Sequence, residues 1–145
     1  MKLKENFDGE QYESVRELYD IAAGVAENSY APFSGFKVGA ALITENGQVY
    51  TGVNIENSSY GATICAERTA FVKAISEGER SFSAIAVSSE PEEAIPCGIC
   101  RQFMYEFAPD IKIITGKSRD NLKIRTLNEL LPVGFRLKTE ECPEN

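Results

Sequence analysis

Apolar residues recur at helical spacing near the front of the chain. In "DGEQYESVRELYDIAAGVAENSY", residues 8–30, Val15, Leu18, Ile21, Ala22 and Val25 fall together and predict a first helix, started by Asp8 or Gly9. "APFSGF", residues 31–36, carries Pro32, Ser34 and Gly35 and reads as a loop. Residues 37–57 then change to short β-rich runs around Asn46-Gly47, a dipeptide that favours the type I′ turn of a tight hairpin. "SSYGAT", residues 58–63, is a second loop. A second helix is expected over 65–77, with Gly78 as its terminator. A strand follows at 82–89, then a loop, then a short helix at 97–108 that Pro109 closes. Two more strands, 111–115 and 122–126, flank a polar turn, and 127–132 make one helical turn. Strands interleaved with helices predict one sheet covered by helices, an α/β layered domain spanning residues 1–135. Strands that leave and return through a helix are expected to run parallel. Residues 136–145 read as a polar, acidic tail.

Composition narrows the partners. The 145 residues suit one domain, and 43% hydrophobic with 26% charged residues is ordinary for a globular chain. The net charge is −7 with no lysine or arginine stripe, which argues against nucleic acid and anionic membranes and favours a small neutral substrate. No apolar run is long enough to span a bilayer, and the N-terminal stretch lacks a signal-peptide core, so a cytoplasmic location is expected. There is no histidine, which excludes Ser-His and Cys-His mechanisms. Any metal site must use the four cysteines or carboxylates.

Three cysteines form a constellation. Cys97 and Cys100 stand in a C-x-x-C arrangement that can clasp zinc, although that spacing alone also suits a redox pair. With Cys65 they supply three ligands and leave a fourth tetrahedral position open, the mark of a catalytic zinc. Three thiolates oppose the acidification of a bound water by the metal. Cys65 and Cys97 sit near helix starts, where the dipole favours thiolate. Arg68 could withdraw charge from sulfur; Arg101 either does the same or is a solvated helix-face charge. Glu67 lies two residues from Cys65 and could carry protons at the open position. Alone, it would read as a first-turn glutamate complementing the helix dipole.

"C-A-E" followed about thirty residues later by "P-C-x-x-C" is the signature of the zinc deaminases. Five blocks resemble the small cytidine deaminases: "SYAPFSGFKVGAAL", "GVNIENSSY", "CAERTA", "PCGICRQ" and "ELLP". The resemblance runs from the first helix to Phe135. It implies a three-layer α/β/α sandwich with a mixed five-stranded sheet, one Zn²⁺ per subunit, and a homotetramer whose pockets are completed by neighbouring subunits. It implies conversion of cytidine and deoxycytidine to the uridines. Cys65, Cys97 and Cys100 would hold zinc, with Arg68 tempering the thiolate charge. Glu67 would move a proton from water to ring N3 and then to the departing amine. Asn54 and Glu56 would hydrogen-bond the sugar 3′-hydroxyl, Phe36 would pack on the pyrimidine, and Ala66 would offer its backbone to the base. Tyr60 and Phe135 would reach a neighbour's pocket.

Some positions depart from the family pattern. Ile99 stands where a small residue is common and would tighten the metal loop, and Phe33 replaces a frequent tyrosine. "TGKS" at 115–118 is no phosphate-binding loop, because the required earlier glycine is replaced by Ile111. The rival readings are a deaminase of another cytosine nucleoside such as blasticidin S, a structural zinc module closed by Cys142, and a redox C-x-x-C protein.

Overall fold

The computed structural model describes residues 12–140, so the helix start expected at Asp8 or Gly9, and Cys142, lie outside the described residues. Helix α1 spans Tyr12–Val25 and ends in a single 3-10 turn, Ala26–Asn28. Strands β1 (Gly39–Thr44) and β2 (Val49–Val53) form the expected hairpin. Helix α2 (Ala66–Ser76) leads to β3 (Phe82–Ser88), and α3 (Gly98–Phe107) leads to β4 (Lys112–Ser118). Strand β5 (Asn121–Thr126) and the short α4 (Leu127–Leu130) follow. The five strands form one sheet in the order β2-β1-β3-β4-β5. Among the described strands, only β3 and β4, joined through α3, pair in parallel; the other strand pairs are antiparallel.

Alternation along the strands divides the core into two layers. Ala41 and Ile43 of β1, Ala84 and Ala86 of β3, and Ile114 of β4 pack with Val15, Leu18, Tyr19 and Ala22 of α1. Their neighbours Ala40, Leu42, Ile85, Val87 and Ile113 pack with Phe71 of α2 and Met104 of α3 on the opposite face. Both faces are covered, so β1 is buried at every position rather than alternating with polar residues. This is the α/β/α sandwich with its mixed sheet. On α1, Ile21 and Val25 are only partly buried, while Tyr19 is fully buried and donates from its hydroxyl to Gly116 O at 3.1 Å. Among the described residues, no helix is long and apolar enough to cross a membrane.

The hairpin turn differs from expectation. A type I′ turn needs positive φ at both central residues, but only Gly47 has it, at 86°. Thr44 O accepts from Gly47 N at 3.0 Å, and Thr44 N donates to Gln48 O at 2.9 Å. Residues 45–47 are therefore a three-residue loop with glycine in the left-handed position.

Glycines set how closely the helices approach the sheet. A Cβ on Gly52 of β2 would stand 2.4 Å from both Ala66 O and Ala70 N. Its absence allows the first turn of α2 to rest directly on the sheet. Gly52→Ala is expected to destabilise the fold by about 1–3 kcal/mol through overpacking, read as a lower midpoint in thermal melting. An unchanged midpoint would show that the helix start can move freely.

Candidate active site

The site is assembled where β2 runs out of the sheet. Beyond Val53, Ile55 is bridged by Tyr30 on one side and by Ile64 on the other. Ile55 and Ile64 exchange backbone hydrogen bonds of 2.9 and 3.0 Å, while Tyr30 N donates to Asn54 O and Glu56 N to Tyr30 O. Residues 54–56 thus lie between the loop at 31–36 and the approach to α2. The same bridges deliver Cys65 to its place as the N-cap of α2.

Cys97 is the N-cap of α3, and Cys100 is buried in that helix's first turn. The Sγ atoms of Cys65, Cys97 and Cys100 all lie within 4.8 Å of one another. Arg68 Nη2 approaches Cys65 Sγ at 3.5 Å, one turn along α2. The Cys65 and Cys100 thiols are pulled in opposite directions. A hydrogen bond from the Cys100 thiol, with help from Arg68, holds Cys65 down to about 5. The hydrogen bond to Cys65, together with burial, pushes Cys100 up. Three converging sulfurs cannot all ionise side by side unless a cation joins them. This donor set fits zinc, whose binding releases thiol protons.

Glu67, on the first turn of α2, is 4% exposed. Burial pushes its carboxyl upward, and the Cys65 thiolate adds to that shift. Glu67, Cys65, Cys97 and Ala66 share the wall of a cavity of about 480 Å³ with Phe36, Asn54 and Glu56. Ala66 is the first residue of α2, where helix geometry leaves backbone N–H groups without intrahelical partners.

The Asn54–Glu56 pair is held firmly. Asn54 Oδ1 accepts from Val38 N at 2.9 Å and from the Ser29 hydroxyl, and its Nδ2 donates to Phe36 O at 2.7 Å. One Nδ2 hydrogen remains for a ligand. Glu56 Oε1 accepts from the backbone N–H groups of Phe33 (2.9 Å) and Ser34 (3.1 Å), while Oε2 accepts from Ser34 Oγ at 2.6 Å. The two bonds from Ser34 are the main cause of its lowered pKa. Glu56 is thus an ionised acceptor with one spare lone pair on Oε2, aimed by the loop at 31–36.

The remaining expected site residues divide. Tyr60 is 80% and Phe135 65% exposed, and neither lines this chain's cavity. Phe33 meets Tyr60 edge to face, with ring centroids 6.2 Å apart. Phe135 O accepts from Gln102 Nε2 at 2.9 Å, which ties its segment to α3. Ile99 is 66% exposed and points away from the core, so it does not tighten the metal loop. Neither reading of Arg101 holds. Its Nε donates to Pro96 O and its Nη1 to Leu130 O, both at 2.8 Å, so it joins the segment before Cys97 to α4. Sequence reading missed Ser29 and Ser34, which sit one or two residues from prolines or aromatics in a loop. It also missed Glu93, a cavity-wall residue whose nearness to Cys97 was the available signal.

Comparison with known proteins places the chain in a family. Residues 12–116 match the family described as "Cytidine and deoxycytidylate deaminase zinc-binding region". A cytidine deaminase of Halalkalibacterium halodurans is 50% identical over 120 residues, 81% of this chain and 91% of the relative. A probable cytidine deaminase of Dictyostelium discoideum is 46% identical over 123 residues, 83% of this chain and 82% of the relative. The crystal structure of a cytidine deaminase from Burkholderia pseudomallei has a TM-score of 0.78 and 42% identity, covering 82% of this chain and 97% of that one. With its fold, its cysteine cluster and most of its length accounted for in this way, the chain belongs to the cytidine and deoxycytidylate deaminase family.

Proposed function

We propose that the chain catalyses hydrolytic deamination of cytidine and deoxycytidine to uridine and deoxyuridine with release of ammonia, in pyrimidine salvage. The observation that carries this reading is one cavity wall that holds Cys65 and Cys97 of the cysteine cluster, buried Glu67 and the Asn54–Glu56 pair. Cys65, Cys97 and Cys100 would hold zinc, which when bound supplies a Lewis acid that makes water a nucleophile at neutral pH. Glu67 accepts one proton from the attacking water and passes it to ring N3, then takes the remaining proton from the oxygen added at C4 and delivers it to the amine, so that the C4–N bond breaks as the C4 carbonyl forms. Burial raises its pKa above the ordinary carboxylate range, which strengthens it as a proton acceptor. Arg68 offsets negative charge on Cys65. Ala66 presents backbone to the base, Phe36 covers the pyrimidine face, and Asn54 and Glu56 receive the sugar hydroxyl.

The cavity favours a nucleoside over its monophosphate. Among the described residues, its lining includes Glu56, Glu67 and Glu93 but no lysine or arginine. A 5′-phosphate would enter against like charge with no cation to pair it. Cytidine is expected to exceed its 5′-monophosphate in kcat/KM by about 10³-fold, since like charges brought together cost several kcal/mol. Steady-state assays on both substrates check this, and equal values would remove the nucleoside assignment. The antibiotic-deaminase alternative is not favoured, because the similar proteins above are named cytidine deaminases.

The exposed Tyr60 and Phe135 support a homotetramer in which each completes a neighbour's pocket. Residues 1–135 form the catalytic domain and 136–145 a polar tail in this proposal, with a cytoplasmic location.

A further inference from the structure

One cavity-wall carboxylate is tied to a part of the sheet that the chemistry does not touch. Glu93 lies between β3 and α3, just ahead of Ala94, Ile95 and Cys97, which also line the cavity. Its side chain is 16% exposed. Oε1 accepts from Thr115 Oγ1 at 2.7 Å and from Arg125 Nη1 at 3.4 Å, and Oε2 accepts from Lys123 Nζ at 3.3 Å. Arg125 Nη1 also donates to Thr115 Oγ1 at 3.1 Å, so the hydroxyl receives one bond and gives its proton to Glu93. Thr115 is fully buried in β4, whereas Lys123 and Arg125 belong to β5. Lys123 is 55% exposed, which makes its ion pair the weakest member of the group. The Thr115 bond, with the two cations, lowers the Glu93 pKa and keeps it ionised.

The same segment is pinned at both ends without Glu93. Ser89 Oγ donates to Lys37 O at 2.7 Å, and Arg101 Nε holds Pro96 O. Glu93 supplies the middle tether, so its loss frees the centre of the segment while leaving the sheet and α3 in place.

We propose that Glu93 is a positioning residue: it fastens the segment at 92–96 to the β4–β5 hairpin and thereby fixes the Ala94–Ile95 wall against the substrate. The proposal rests on the deamination reading above. It is tested with Glu93→Ala and Glu93→Gln, measuring kcat and KM for cytidine, zinc content, and hydrogen exchange of the amides at 92–97. Glu93→Ala is expected to raise KM about tenfold through lost charge-assisted hydrogen bonds, with kcat changed by less than about threefold. Zinc content is expected to stay at the wild-type level, and exchange at 92–97 to accelerate while β4 remains protected. Glu93→Gln still accepts from Thr115 and should fall between the two proteins. Unchanged KM and exchange in Glu93→Ala would overturn the proposal. A fall in kcat with loss of zinc and of β4 protection would also overturn it, because that marks a merely structural role. If wild-type protein fails to deaminate cytidine, the reaction assignment falls, and the exchange measurement still decides whether Glu93 holds the segment.

Discussion

Glu67→Gln is expected to lower kcat for cytidine by about 10²–10⁴-fold, the contribution typical of a positioned proton carrier. The amide keeps the size and most contacts of the carboxylate but cannot accept a proton and pass it on. Zinc should be retained, because Glu67 is not among the three converging sulfurs. Stability is the discriminating control. The folded-state pKa of Glu67 is raised, chiefly by burial, so the folded protein holds this proton more tightly than the unfolded chain. That difference costs stability as the pH climbs above the unfolded value. The neutral amide removes the cost, so the metal-free variant should melt no lower than metal-free wild type at neutral pH. A variant with normal kcat would sink the proton-carrier role, and one that melts early would show that the carboxylate is structural.

Cys65→Ala should abolish both zinc binding and turnover. Cys65 Sγ is 3.8 Å from Cys97 Sγ and joins α2 to α3 through the cluster. Two remaining cysteines cannot complete a tetrahedral set with one open position. Bound metal stabilises the folded state by mass action, about 4 kcal/mol when free zinc exceeds its Kd a thousandfold. The variant should lose that increment, and wild-type protein with a chelator should reproduce its melting temperature. Zinc retained at one per chain in Cys65→Ala would contradict the three-ligand site. It would direct attention to another donor such as Cys142, as the structural-module reading requires.

Much of the fold is legible because both helical and strand periods are written plainly in the chain. α1 follows from Val15, Leu18 and Ala22, although Tyr19 escapes a purely apolar pattern because its hydroxyl needs the carbonyl of Gly116. The parallel step from β3 to β4 follows from the intervening α3. The hairpin turn departs from the type I′ expectation because Asn46-Gly47 suits more than one turn, and strand register decides which one forms. In the site, Cys65, Glu67, Cys97 and Cys100 are local signals at two helix starts, so sequence spacing finds them. Arg101 and Glu93 act through Leu130, Thr115 and Arg125, partners distant in sequence. Their roles emerge only when the sheet brings β4, β5 and α4 beside the segment before Cys97. Ile99 shows the converse: adjacency to Cys100 suggested packing at the metal loop, but the helix turns its side chain outward.

The most direct test is to incubate the purified chain with cytidine and follow uridine and ammonia together, with zinc content measured on the same sample. Expected are equal amounts of both products, formed at a rate that rises with zinc occupancy and disappears on chelation. Zinc-loaded protein that leaves cytidine unchanged would contradict the deamination assignment.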